Sequence, residues 1–237
     1  KRLHAVVNET GLHADLIVAT AILNMYCKSG LLECMQKMFD GLSNHDTFSW
    51  NTLIGAYARH GQRSKAIQLF EKMQRGGTKP NKISFLSILE AYSGEQSLME
   101  ARAMHACITR AGFETDVVIG TALINMYARC GSAEDAKMMF DKMPMRNEFS
   151  WNSIIAAYAQ NGQGHNAIQL FQEMQCRGIK ADRFTLLSMV NACADELEIE
   201  TIQSSITGTG LESDGGIGSA LIYMYSKCGS LKNSYKV

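Results

Sequence analysis

The sequence predicts an all-α fold, an α-solenoid of stacked helix-turn-helix repeats, on three observations. Long segments return at one fixed offset. Within each returning segment the apolar residues follow a helical period. With only 2 prolines in 237 residues and few β-branched runs, nothing favours strands.

The offset comes first. Phe48-Ser49-Trp50-Asn51 returns as Phe149-Ser150-Trp151-Asn152, and Ala66-Ile67-Gln68-Leu69-Phe70 as Ala167-Ile168-Gln169-Leu170-Phe171, each 101 residues on. Asn24-Met25-Tyr26 returns as Asn125-Met126-Tyr127 and, 98 residues later, as Tyr223-Met224-Tyr225. His4-Ala5 and Gly11 match His105-Ala106 and Gly112, again at 101. Three related units therefore make one super-repeat. They run 15–45, 46–80 and 81–115, then 116–146, 147–181 and 182–213, with partial units at 1–14 and 214–237. One array spanning 1–237 is expected.

Each unit reads as two antiparallel helices. In 46–80 the first carries Trp50, Leu53, Ile54 and Tyr57, an i, i+3, i+4, i+7 stripe. Gly61 interrupts it, and the second carries Ala66, Leu69, Phe70 and Met73. Gly30, Gly131, Gly162 and Gly229 mark the equivalent turns. A lone hairpin leaves an apolar face that only its neighbours can cover, so the units should stack. Segment 182–213 is three residues shorter than 81–115, with the gap near Met104-His105-Ala106. Three residues turn a helix about 60° short of a full turn, which predicts a break in regular stacking and base register beyond about residue 200.

Composition narrows the class. A hydrophobic share of 46% suits a folded domain. Lys plus Arg and Asp plus Glu are 23 each, so a nucleic-acid site would rest on the placement of charge, not its excess. No run of eighteen apolar residues occurs, which argues against a membrane partner. The 7 cysteines form no Cys-x-x-Cys and read as reduced thiols. Both ends read as cuts through repeats, so the chain is expected to be a stretch of something longer.

Two polar positions recur against the apolar pattern. One lies early in each first helix: Thr20, Asn51, Thr121, Asn152 and Ser219. Thr, Asn and Ser are mediocre helix formers, so their return calls for a reason. The other closes each unit before the next first helix: Asp46, Asn81, Asn147 and Asp182. Asp and Asn are favoured helix N-caps, which accounts for the second set without any ligand. Capping and ligand reading are also compatible uses of one residue.

Alternating 31- and 35-residue units with Ser-Trp-Asn, Asn-Met-Tyr and Ala-Ile-Gln-Leu-Phe-x-x-Met resemble pentatricopeptide repeats, in the subclass that cycles short, canonical and long motifs. The resemblance covers essentially the whole chain. It implies a right-handed α-solenoid that binds single-stranded RNA in a mitochondrion or chloroplast, about one base per repeat. It further implies target selection for RNA editing, with editing-complex proteins or a C-terminal deaminase-like domain as partners. A tetratricopeptide-like protein scaffold is the alternative, and a peptide groove would need no recurring polar pairs.

By that resemblance the pairs Thr20/Asp46, Asn51/Asn81, Thr121/Asn147 and Asn152/Asp182 favour G, a pyrimidine, A and U. An Asp carboxylate only accepts, which suits the ring N–H of G and U, while an Asn amide can donate, which suits A and C. Three residues before each first-helix position stand Ile17, Phe48, Val118, Phe149 and Phe184, which the family uses to sandwich bases. Burial between neighbouring repeats accounts for them equally well. Lys28, Arg59, Arg129 and Lys227, two turns after the selector, are candidates for phosphate contact, with Gly94, Gln160 and Asp195 interrupting the row. In the long units Leu86 and Leu187 replace the selector, so Asp116 and Asp214 should add little. The expected register is 5′-G-Y-N-A-U-N-3′.

No catalytic constellation appears. None of the 6 histidines opens a His-x-Glu, and there is no Walker loop, dinucleotide fingerprint or nucleophile elbow. Cys130 and Cys228, like His4 and His105, recur because their repeats do. No cofactor or metal is expected, and the chain reads as a non-enzyme.

Overall fold

The structure is a computed structural model describing residues 16–42, 44–192, 196–206 and 213–230. The partial unit 1–14 with His4, and Asp195, lie outside the described residues. So do the side chains of Ile17, Thr20 and Lys227, although their backbones are helical. Among the described residues every regular element is a helix.

The chain divides into two compact units, 1–93 and 94–237. The first holds α1 (Leu16–Lys28), α2 (Leu32–Asp40), α3 (Thr47–Arg59), α4 (Arg63–Arg75) and α5 (Lys82–Leu89). The second opens on a 3-10 turn, Glu95–Ser97. It continues with α6 (Leu98–Arg110), α7 (Val117–Arg129), α8 (Ala133–Lys142), α9 (Glu148–Gln160) and α10 (Gly164–Cys176), then α11 (Arg183–Ala192), α12 (Glu196–Ile206) and α13 (Gly215–Lys227). Within each unit a first helix packs on its own second helix and on the next first helix. The contacts run α1–α3–α5 in one unit and α7–α9–α11–α13 in the other.

Sequence explains the hairpin turns. Gly61 sits at φ +71°, where a side chain would be strained, and there the chain reverses. The turn closes by Gly61 N–H donating to the Ala58 carbonyl (3.0 Å) and Gln62 N–H to the Tyr57 carbonyl (2.9 Å). This is the paired bonding of a Schellman C-cap. Gly30, Gly131, Gly162 and Gly229, singled out by position alone, adopt the same backbone.

Burial falls on the predicted stripes. Trp50, Leu53, Ile54 and Tyr57 of α3 and Ala66, Leu69, Phe70 and Met73 of α4 are all buried. Where one hairpin meets the next, Trp50 meets Phe39 edge-on at 4.7 Å, and Trp151 meets Phe140 in the same way at 4.8 Å. Such edge-to-face pairs add roughly 0.5–1.5 kcal/mol beyond area burial.

The shortened unit 182–213 departs from expectation. Buried Tyr127 bonds His105 Nδ1 through its hydroxyl (2.8 Å), and buried Tyr225, 98 residues on, donates to Gln203 Oε1 (2.6 Å). Both partners lie 22 residues upstream of their tyrosine. The helix-start residues Leu98 and Glu196, and the buried positions Ala101, Met104 and Ile108 with Ile199, Ile202 and Ile206, also stand 98 apart. The gap therefore falls ahead of the second helix and not near Met104-His105-Ala106, as sequence alignment suggests. Ile199, Ile202 and Ile206 keep a buried stripe on α12, which packs on α11 and α13. Stacking therefore continues beyond residue 200 among the described residues of α11, α12 and α13.

His105 has a packing role. Burial lowers its pKa and raises that of Tyr127, keeping both neutral near pH 7. Beside them Arg102 binds Asp135 through Nε (3.1 Å) and Nη2 (2.7 Å). At the same 98-residue offset Glu200 replaces Arg102, and in sequence Asn233, outside the described residues, replaces Asp135. Both members of the ion pair are thus replaced together. Arg102→Ala should lower the thermal midpoint by leaving a buried carboxylate with less compensation. Adding Asp135→Asn should recover most of that loss. A double variant melting no higher than Arg102→Ala would refute the pairing.

Candidate nucleic-acid interface

The two recurring polar positions lie at the starts of stacked first helices. Asp46, Asn81 and Asn147 are the N-caps of α3, α5 and α9, each with extended backbone. Their Oδ1 atoms accept the backbone N–H of Ser49 (2.8 Å), Ser84 (3.0 Å) and Ser150 (3.0 Å). Asp182 does the same with Thr185 N–H at 2.8 Å. Capping, the ligand-free reading of these residues, is therefore real. It uses one oxygen of each side chain. Because a cap must accept, Asn has to commit its only oxygen to it. The remaining atom is a pure donor, Nδ2, in Asn81 and Asn147, and a pure acceptor, Oδ2, in Asp46 and Asp182.

The first-helix residues differ in how far the protein satisfies them. Asn51 is buried on α3 and donates from Nδ2 to Asn81 Oδ1 at 3.2 Å, while its own Oδ1 has no protein partner. Asn152 on α9 holds both amide atoms buried without a protein partner. Thr121 on α7 donates its hydroxyl to the Val117 carbonyl (2.8 Å), leaving an acceptor, and Ser219 on α13 repeats this with Gly215 (2.7 Å). The structure thus bonds Asn51 to its predicted partner and does not bond Thr121 to Asn147 or Asn152 to Asp182.

One turn earlier, Phe48, Val118, Phe149 and Phe184 are 48%, 50%, 70% and 75% exposed. Burial between repeats does not account for them. Sequence reading missed Ile83, which is 58% exposed on α5 in the same place. Its signal was the 35-residue step from Phe48. On α13 the equivalent residue is Gly216, and Arg183 fills the space beside it.

Arg183 pairs with Asp214 at 2.9 Å. The Ile217 N–H, followed by Arg183 and the Gly216 N–H, holds the Asp214 carboxyl below the usual range. Leu86 and Leu187 are half-buried at the selector position of the long units. Of the basic row, Lys28, Arg59 and Arg129 are exposed. Arg59 bonds Cys27 Sγ at 3.1 Å and Glu90 at 3.5 Å. Glu90 stands four residues after Leu86, off the aligned position, which is why the row alone gave no hint of it.

Comparison with known proteins fits this geometry. The PPR repeat family model matches residues 45–94 and 146–195, and the PPR repeat model matches 17–45 and 121–147, together more than half of the chain. The chain belongs to the pentatricopeptide repeat (PPR) family.

Its PPR relatives include two chloroplastic proteins of Arabidopsis thaliana. One is 37% identical over 98% of this chain and 29% of its own length; the other is 35% identical over 96% and 29%. A mitochondrial Arabidopsis PPR protein is 30% identical over 99% of the chain and 38% of its length. The chain thus spans under two fifths of these relatives. Among solved structures, the maize PPR protein PPR10 superposes with a TM-score of 0.79 at 17% identity, over 99% of this chain and 34% of that one. PPR10 in complex with an 18-nt psaJ RNA element gives 0.80 at 16% identity, over 98% and 36%. That likeness gives the fold, the α-solenoid of helical hairpins that the repeats predict.

Proposed function

We propose that this chain binds single-stranded RNA in a chloroplast or mitochondrion, reading about one base at each short or canonical unit. The observation that carries the reading is Asn152, whose buried amide has no protein partner one turn from exposed Phe149. A folded protein rarely leaves such a group unmet, and a base edge supplies the donors and acceptors it lacks. The solved RNA complex of PPR10, and relatives named chloroplastic and mitochondrial, support the same reading.

Hydrogen-bond polarity supports the pair preferences. Thr121 offers an acceptor and Asn147 a donor, matching the N6 amino group and N1 of adenine. Replacing the donor by an acceptor, as at Asp46 with Thr20, matches the N–H groups of guanine. Exposed Phe48, Phe149 and Phe184 supply stacking worth about 1–3 kcal/mol per base, and Val118 and Ile83 supply apolar faces. In the long units Leu86 and Leu187 leave stacking without a selector. One array read in the order 5′-G-Y-N-A-U-N-3′ follows. The 31/35 alternation is consistent with the short–canonical–long subclass, and with it goes the proposed role of choosing sites for RNA editing or processing, with the chemistry supplied elsewhere.

Lys28, Arg59, Arg129 and Lys227 meet phosphates in this reading. The Arg59–Glu90 pair is exposed and worth about 1 kcal/mol at most, so a phosphate can displace Glu90. With about three phosphates neutralised, log affinity against log salt should fall with a slope of roughly −2. Titrating single-stranded and duplex RNA at several salt concentrations tests this. Salt-independent binding, or equal affinity for duplex, would exclude it.

A further inference from the structure

Three residues after each closing Asp or Asn stands a hydroxyl, and all four are buried: Ser49, Ser84, Ser150 and Thr185. Their N–H groups make the caps described above. Their hydroxyls divide into two kinds. Ser49 and Ser150 donate to the backbone carbonyls of Asp46 (2.9 Å) and Asn147 (2.8 Å), away from the side chain. Ser84 and Thr185 donate instead to the side-chain Oδ1 of Asn81 (3.1 Å) and Asp182 (2.8 Å). Ser84 Oγ also accepts the Asn81 N–H at 3.0 Å.

The consequence is orientational. A side chain held by one hydrogen bond can still rock about it. Two donors from one neighbour, reaching the same oxygen from backbone and hydroxyl, fix the plane of the carboxamide or carboxylate. That plane sets where Asn81 Nδ2 and Asp182 Oδ2 point. At Asn81 the same oxygen also receives Nδ2 of Asn51, whose own Oδ1 is unpartnered and buried, so the hydroxyl anchors both members of that pair.

We propose that Ser84 and Thr185 are positioning residues that set base discrimination in the units closed by Asn81 and Asp182, while Ser49 and Ser150 serve only the caps at Asp46 and Asn147. This rests on the base-reading function above. Four variants of the full-length protein test it: Ser84→Ala, Thr185→Val, Ser49→Ala and Ser150→Ala. Each is titrated with RNAs differing only at the base facing its own unit, and its thermal midpoint is measured alongside.

Ser84→Ala and Thr185→Val should each reduce the ratio of matched to mismatched affinity about fivefold, the effect of one hydrogen bond. Ser49→Ala and Ser150→Ala should change it less than about twofold. Thr185→Ser and Ser84→Thr, which restore the hydroxyl, should restore the ratio. A merely structural hydroxyl would shift the thermal midpoint and leave the ratio alone. Equal effects from all four variants, or unchanged ratios in all, would overturn the assignment while base reading stood. A wild-type protein indifferent to the base at these units would overturn the reading itself, and this inference with it.

Discussion

Asn152→Leu should make the RNA-free protein more stable and blind to the base that its unit faces. Both polar atoms of the Asn152 amide are buried without a protein partner, and an unmet buried group costs about 1–3 kcal/mol. Leucine removes that cost and is the better helix former. The fold already accepts it, since Leu187 stands at the same position 35 residues later, half-buried on α11. A gain of about 1–3 kcal/mol should raise the thermal midpoint by several degrees, at roughly 2–4 °C per kcal/mol for a chain of this size. RNAs varied at the facing base should then bind alike. Asn51→Leu should gain less, because Nδ2 of Asn51 already bonds Asn81 and only its Oδ1 is unmet. Destabilisation by Asn152→Leu, or a retained preference for U, would remove Asn152 as a reader.

Asn147→Asp should move the preference of its unit from A towards G by about 1–3 kcal/mol, the range of one discriminating base contact. The cap survives, because Ser150 N–H needs only the Oδ1 that both side chains possess. The atom that changes is the one the cap leaves unspent. Nδ2, a donor to adenine N1, becomes Oδ2, an acceptor for guanine N1–H. Thr121, its hydroxyl proton committed to Val117, is an acceptor in either case. Stability should barely move, and the Asn152/Asp182 unit should keep its preference for U. Affinities for four RNAs differing at that single base decide the matter. No relative gain for G would leave Asn147 a cap and nothing more.

These residues show why the sequence was informative to different depths. The hairpins were legible because a helical stripe and a turn glycine are local signals: the stripe from Trp50 to Tyr57 and the reversal at Gly61 need no distant residue to be recognised. The closing Asp and Asn were found as well, and capping and reading were recognised as compatible uses. How one side chain serves both is seen only once the cap is found to occupy Oδ1 alone, a fact about atoms that residue types do not carry. The exposure of Phe48, Phe149 and Phe184 was undecidable from periodicity, since a sandwiching position and a buried one share a helical face. The hydroxyl directions at Ser84 and Thr185, and the hold of Glu90 on Arg59, depend on rotamers. No spacing rule reaches them.

The gap before Gln203 carries a lesson about how such arrays change. Three residues are missing ahead of a second helix, yet the tyrosine contact is remade by an amide in place of an imidazole and the first helices α9, α11 and α13 stay in file. Length can therefore vary between the two helices of a hairpin while the lettering on the first stays in place. An insertion or deletion that would garble a one-dimensional text is here absorbed in the margin, leaving the order of the letters intact. Substitutions at the reading positions and changes of repeat length are thus separable edits, open to independent trial by mutation or by design.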